Sequence, residues 1–263
     1  MDGIPILLLF ALTALAVLAA IELGYRLGRA ALRRAGDEKE SPVSAFTGTT
    51  LGLLAFILAF TFAIVSDRYD ARKGLVRDEA NAIRTAFARS EFLPEADRGE
   101  AAQLLKEYVD TRIAAVRSRD YAEIRQALGD AERIQRRLWE VAVDNARKDM
   151  NSDVAALYVE SLNEVTNFHH LRVAVGLQAR IPRAIWIVLL VLVVLAMTGV
   201  GYQTAIAGSV RTWAMLILAL SFSIVIALIA ELDRPNSRYI TVPQQPLVDL
   251  RSSMDASGRT PSR

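Results

Sequence analysis

Three groups of residues have the types and spacing that chemistry would need. Asp78, Glu79 and Asn81 follow an uncharged run, and Asn163, Asn167 and His170 recur at i, i+4 and i+7, which places them on one helical stripe. Facing polar stripes either close into a hydrogen-bonded network that fixes a helix register or line a wet vestibule. Arg68, Arg72 and Lys73, with Asp67, Asp70 and Tyr69 among them, crowd the end of the apolar run, as an interfacial anchor or as an ion-attracting mouth. Inside the run, Phe56, Phe60 and Ile64 recur at steps of four beyond Gly48 and Gly52. Small residues let helices approach closely, so this is either ordinary helix packing or an apolar pore neck that gates by dewetting when copies ring an axis.

Other chemistries find little support. His169 and His170 are the only histidines, and adjacent helical positions point about 100° apart, so the two cannot ligate one metal from a single face. The chain has no cysteine, which removes disulfides, thiolate catalysis and Cys-ligated metals. No Ser-His-Asp order, phosphate-cradling glycine loop or nucleophile elbow is present. The expectation is therefore no enzyme, no catalytic residue, no metal and no cofactor. With 31 Lys and Arg against 29 Asp and Glu, the basic excess of a nucleic-acid binder is missing too, and nucleic acid is not an expected partner.

The elements that must position these residues are helices. Of the 263 residues 52% are hydrophobic, concentrated in Ile4 to Ile21, Ala45 to Val65, Ala184 to Gly201 and Trp213 to Ala230. Each block is long enough at the helical rise to cross a bilayer, where backbone groups must be satisfied internally. The first block reads as a retained span rather than a signal peptide, because Asp2 is the only charged side chain before it and the basic cluster Arg26, Arg29, Arg33, Arg34 and Lys39 follows it. Residues 66–182 are charged, poor in Gly and Pro, and periodic at helical spacing. Ala101 to Val116, Ile124 to Val141 and Val154 to Val175 each carry an apolar face, with Asn151-Ser152 as an N-cap before the last. Such helices should bundle.

The predicted architecture is all-α. Residues 1–65 carry transmembrane helices 1 and 2, residues 66–182 an extramembrane helical bundle continuous with helix 2, residues 183–231 helices 3 and 4, and residues 232–263 a largely mobile tail. Pro235 should stop the fourth helix. The partner common to every reading is the lipid bilayer. The positive flanks compete, so the side of the membrane that holds residues 66–182 stays open.

Gly52-Leu53-Leu54-Ala55-Phe56-Ile57-Leu58-Ala59-Phe60, then Ser66-Asp67-Arg68-Tyr69-Asp70-Ala71-Arg72, Asp78-Glu79-Ala80-Asn81-Ala82-Ile83 and the closing Glu231-Leu232-Asp233-Arg234-Pro235, together resemble a bacterial membrane family described as bestrophin-like. Similarity to true bestrophins is fainter and rests on the second span ending in an Asp-Arg-aromatic segment with Arg72 and Lys73 beyond it. The chain departs from them at Tyr69-Asp70, where they tend to carry paired bulky aromatics, and in its basic first loop. The bestrophin resemblance implies a homo-oligomer, specifically a pentamer, of the bacterial inner membrane, with second helices around a pathway for chloride or another small anion. Phe56, Phe60 and Ile64 would be its neck and Arg68, Arg72 and Lys73 its attracting charges. The alternative is a non-conducting membrane scaffold or sensor whose helical insert binds a partner protein.

Overall fold

The structure, a computed structural model, describes residues 4–35, 40–118, 120–209, 213–234 and 239–257. Its helices in chain order are α1 (Ile6–Ala35), α2 (Glu40–Ser90), α3 (Glu95–Arg117), α4 (Tyr121–Lys148), α5 (Asp153–Val173), α6 (Arg183–Ile206), α7 (Trp213–Asp233) and α8 (Gln245–Ser257). A short π-helical stretch, Ala174–Gln178, follows α5. Helices α1, α2, α6 and α7 are each long and apolar enough to cross a membrane. At 51 residues α2 is far longer than the roughly 20 residues a bilayer core needs, and the apolar run Ala45 to Val65 supplies those. The chain divides into two compact units, residues 1–68 with 180–240 and residues 69–179 with 241–263.

In the first unit α1 packs against α6 and α7. The α1–α6 seam is nearly backbone to backbone. A Cβ on Gly24 would lie 1.9 Å from the Thr198 carbonyl oxygen, one on Gly201 would lie 1.9 Å from that of Ile21, and one on Gly28 would lie 2.8 Å from that of Tyr202. These are the glycines that close helix packing within the chain. Gly48 and Gly52, for which the sequence suggested that role, are exposed, and a Cβ on either would meet nothing within 4 Å. On the part of α2 that belongs to this unit the buried positions are instead Thr47, Leu54, Leu58, Thr61 and Val65. The end of α7 is tied in by its charged residues. The Ile181 N–H donates to Asp233 Oδ1 at 3.0 Å, the Tyr239 N–H donates to Glu231 Oε1 at 3.1 Å, and Arg234 donates to the Ile4 carbonyl at 2.7 Å. The helix stops at Asp233; Pro235 lies outside the described residues.

In the second unit α3 packs on α4 and α8, and α4 on α5. Asp120 caps α4 by accepting the Ala122 N–H at 2.8 Å, and Ser152 caps α5 by accepting the Ala155 N–H at 3.2 Å. The buried stripe of α5 is Tyr158, Leu162, Val165 and His169, at i, i+4, i+7 and i+11; Val154, Leu157 and Leu171 are exposed. The segment expected to be a mobile tail is in part α8. Leu247, Leu250 and Met254, at i, i+3 and i+7, are buried in the core of this unit. Arg251 pairs with Asp110 at 2.9 Å and Lys106 with Asp255 at 3.2 Å. Three apolar residues on one face suffice to dock a short helix, a signal hidden in a polar composition. The rest of the mobile-tail expectation, residues 258–263, lies outside the described residues.

Candidate functional site

Glu79 is fully buried and stands at the centre of the second unit's polar chemistry. The core periodicity of α2 puts it one residue from buried Ala80 and one turn from Val76 and Ile83. Helix α3 contributes Tyr108 and Arg112, one turn apart on its inner face. Tyr108 donates its hydroxyl to Glu79 Oε1 at 2.9 Å, and Arg112 Nε donates to the same oxygen at 3.0 Å. Helix α5 contributes Arg172, whose Nη1 donates to Glu79 Oε2 and whose Nη2 donates to Gln244 Oε1 at 3.0 Å. Gln135 of α4 donates to the Tyr108 oxygen at 3.3 Å, and His169 Nδ1 lies 3.3 Å from it. Because the Tyr108 proton goes to Glu79, that ring nitrogen must be the donor, which fixes the Nδ1–H tautomer of His169.

Burial alone would raise the Glu79 pKa, but the charges of Arg112 and Arg172 and the hydrogen bonds from Arg172 and Tyr108 outweigh it and hold the carboxyl below its ordinary value. Burial, and then the Glu79 charge, push the Tyr108 phenol well up. His169 falls to about 4, chiefly through burial and then the nearby Arg112. The result is an ionised carboxylate among two guanidiniums, a neutral phenol and a neutral imidazole. Glu79, Tyr108 and Arg112 are all at most 4% exposed. A buried polar network whose members are all paired can specify a helix register.

Of the six residues expected in a polar network, Glu79 alone enters this node. Asp78 is half-buried and pairs with neighbouring Arg77 at 3.9 Å, and exposed Asn81 accepts from Arg84 at 3.1 Å. Asn163, Asn167 and His170 lie exposed on α5. The node's histidine is His169, which continues the apolar stripe. Sequence reasoning missed Tyr108, Arg112, Gln135, His169, Arg172 and Gln244. The available signals were Tyr108 with Arg112 at i, i+4 and His169 with Arg172 at i, i+3, each on an otherwise apolar helix face.

A second candidate lies on the apolar half of α2. Counting 100° per residue from the buried line Thr47, Leu54, Leu58 and Val65, Phe56 falls about 180° around the helix, with Gly52 and Phe60 within about 40° of it. Phe56 and Phe60 are 65% and 61% exposed and stacked, with ring centroids 6.3 Å apart. Ile64 flanks them and is half-buried. At the end of the run, Arg68 Nη1 lies 3.6 Å from Asp233 Oδ1, and Arg72 is half-buried. Lys73 pairs with Asp70 at 3.4 Å and sits 5.5 Å over the Tyr69 ring. Asp67 is exposed. Among the described residues no three His, Asp or Glu side chains converge to hold a metal ion.

Fold and sites together define an all-α membrane protein that crosses the bilayer four times and keeps its polar chemistry in the second unit. A family model described as a Bestrophin-like domain matches residues 11–247, and the chain belongs to that family. A solved bacterial bestrophin homolog from Klebsiella pneumoniae shares the fold with a TM-score of 0.67 at 17% identity, the match covering 98% of this chain and 100% of that one. A single-substitution variant of a protein described only as a membrane protein matches at a TM-score of 0.69 and 16% identity, over 97% of this chain and 99% of the other. No curated protein matches the chain.

Proposed function

We propose that the chain is the subunit of a homo-oligomeric ion channel of the bacterial inner membrane, with α2 facing the axis and Phe56, Phe60 and Ile64 forming an apolar neck. The observation that carries this reading is the face of α2 turned away from its own chain. It holds two glycines with nothing within 4 Å of where a Cβ would be, beside two stacked phenylalanines. Glycine weakens a helix, so glycines that met only lipid would cost stability without return, whereas against a second copy they permit close approach. Family membership and the bacterial bestrophin neighbours support the same reading. Five copies and chloride as the permeant ion extend it along the bestrophin resemblance, with Arg68, Arg72 and Lys73 drawing anions to the mouth. Asp78, Asn81, Asn163, Asn167 and His170 are then candidates for a wet vestibule.

One observation favours the opposite selectivity. Arg68 is engaged by Asp233, while Asp67 and Asp70, the latter paired with Lys73, are exposed on the same turns of α2. A cation pathway would draw on those carboxylates. Chloride and sodium flux from liposomes carrying the purified protein separates the cases. The expected result is flux of one ion that rises in a Phe56→Ala, Phe60→Ala double variant, because a dewetting neck is widened. A folded oligomer with no flux in either form would leave a non-conducting scaffold or sensor.

A further inference from the structure

We infer that the C-terminal third of α1 is a binding site for anionic phospholipid headgroups. From Leu23 to Ala35 the helix carries Arg26, Arg29, Arg33 and Arg34 and no acidic residue, with Glu22 before that stretch and Asp37, Glu38, Lys39 and Glu40 after it in the sequence. The buried seam of α1, Val17, Ala20, Ile21, Gly24 and Gly28, turns toward α6 and leaves all four arginines exposed. Arg26 pairs at 2.7 Å with Glu22. Arg29, Arg33 and Arg34 have no ion-pair or hydrogen-bond partner among the described residues. Leu23 and Leu27, 52% and 49% exposed, lie on the same stretch of helix.

The lengths agree with a lipid phosphate layer. The apolar block Ile4 to Ile21 is about 27 Å long, so the Cα atoms of Arg29 and Arg33 lie about 12 Å and 18 Å beyond its end. Helical side chains lean toward the N-terminus, which here brings the guanidiniums back toward the bilayer. Guanidinium forks grip phosphate oxygens through paired hydrogen bonds, and the exposed leucines meet the upper acyl chain. An acidic peptide would match the charge but not the leucines at the edge of the membrane. The inference stands apart from conduction.

The test measures retention of fluorescent phosphatidylglycerol by the full-length protein in detergent, with phosphatidylcholine as competitor. Each arginine contributes roughly fivefold in affinity near a charged surface, so an Arg29→Gln, Arg33→Gln, Arg34→Gln variant should bind on the order of 100-fold more weakly. The single Arg29→Gln and Arg33→Gln variants carry the test if the triple variant does not assemble. A control variant with exposed Arg125, Arg133 and Arg136 of α4 changed to Gln should bind like the unaltered chain, and inorganic phosphate should not displace the lipid. Equal retention of the two lipids by the unaltered chain overturns the site, as does full binding by the variant. So does an equal loss in the α4 control, which would mean bulk charge, or displacement by phosphate, which would mean a free-anion site.

Discussion

Glu79 and Phe56 lie on one helix and are completed in opposite ways. Both electrically demanding oxygens of Glu79 are filled from within the same chain, by Tyr108 and Arg112 on one and Arg172 on the other. Phe56 touches Phe60 and otherwise looks away from its own unit. A buried ion stripped of partners is destabilising, so the first site must be finished before the chain is stable. Apolar side chains on a membrane helix carry no such demand, and their face can wait for lipid or another copy. The first site is complete within one chain, and the second is left open.

The largest effect should come from breaking the closed site. Glu79→Ala leaves Arg112 and Arg172 buried without their anion and should cost about 3–5 kcal/mol. Hydrogen exchange in α3 and α5 should quicken accordingly. Tyr108→Phe removes one hydrogen bond to that charge and should cost about 1.5–3 kcal/mol by the same readout. In the membrane unit, Gly201→Ala drives a Cβ against the Ile21 carbonyl and should cost about 1–3 kcal/mol of thermal stability in detergent. Gly52→Ala sharpens the contrast, since nothing in its own chain opposes the added methyl. It should leave the isolated chain as stable or up to about 1 kcal/mol more so, and weaken association measured by native mass spectrometry.

The pH dependence of the second unit should come from the closed site, with a definite sign. The folded His169 sits at about 4 against an ordinary 6.5. Between those values the unfolded chain binds a proton that the folded one does not, so stability falls as the pH falls. Glu79, held below 4.5, adds stability that is present above that value and lost as the pH drops through its folded value. Both act in the same direction, His169 first. Unfolding followed from pH 7 to pH 4 should lose its upper limb in His169→Gln while the limb below 4.5 remains.

The four spans were legible because an uncharged block of that length has few other uses, and the continuation of α2 because no proline interrupts it before Pro94. Glu79 was legible only as one of three polar residues, with Asp78 and Asn81, on the continuation of the second span. Its partners were not, since they come from helices 29 to 93 residues away and their pairing depends on which face each helix turns inward. On α5 the sequence offers Asn163, Asn167 and His170 as a regular polar stripe, yet burial follows Tyr158, Leu162, Val165 and His169, so a one-residue difference in phase exchanges one histidine for the other. The α1–α6 seam was hidden for a related reason. Gly24 and Gly28 mark a close approach only when the facing backbone is known, and Gly48 and Gly52 share their spacing but face outward.

If α2 lines a pathway, water reaches its open face. Because the chain has no cysteine, Phe56→Cys places one thiol there. A thiol reacts as its thiolate, which forms in water and not in hydrocarbon. A charged, water-soluble methanethiosulfonate should modify position 56 in proteoliposomes and block ion flux through the Phe56→Cys protein, while the unaltered chain is unaffected. A position 56 that stays unmodified while ions pass would contradict it.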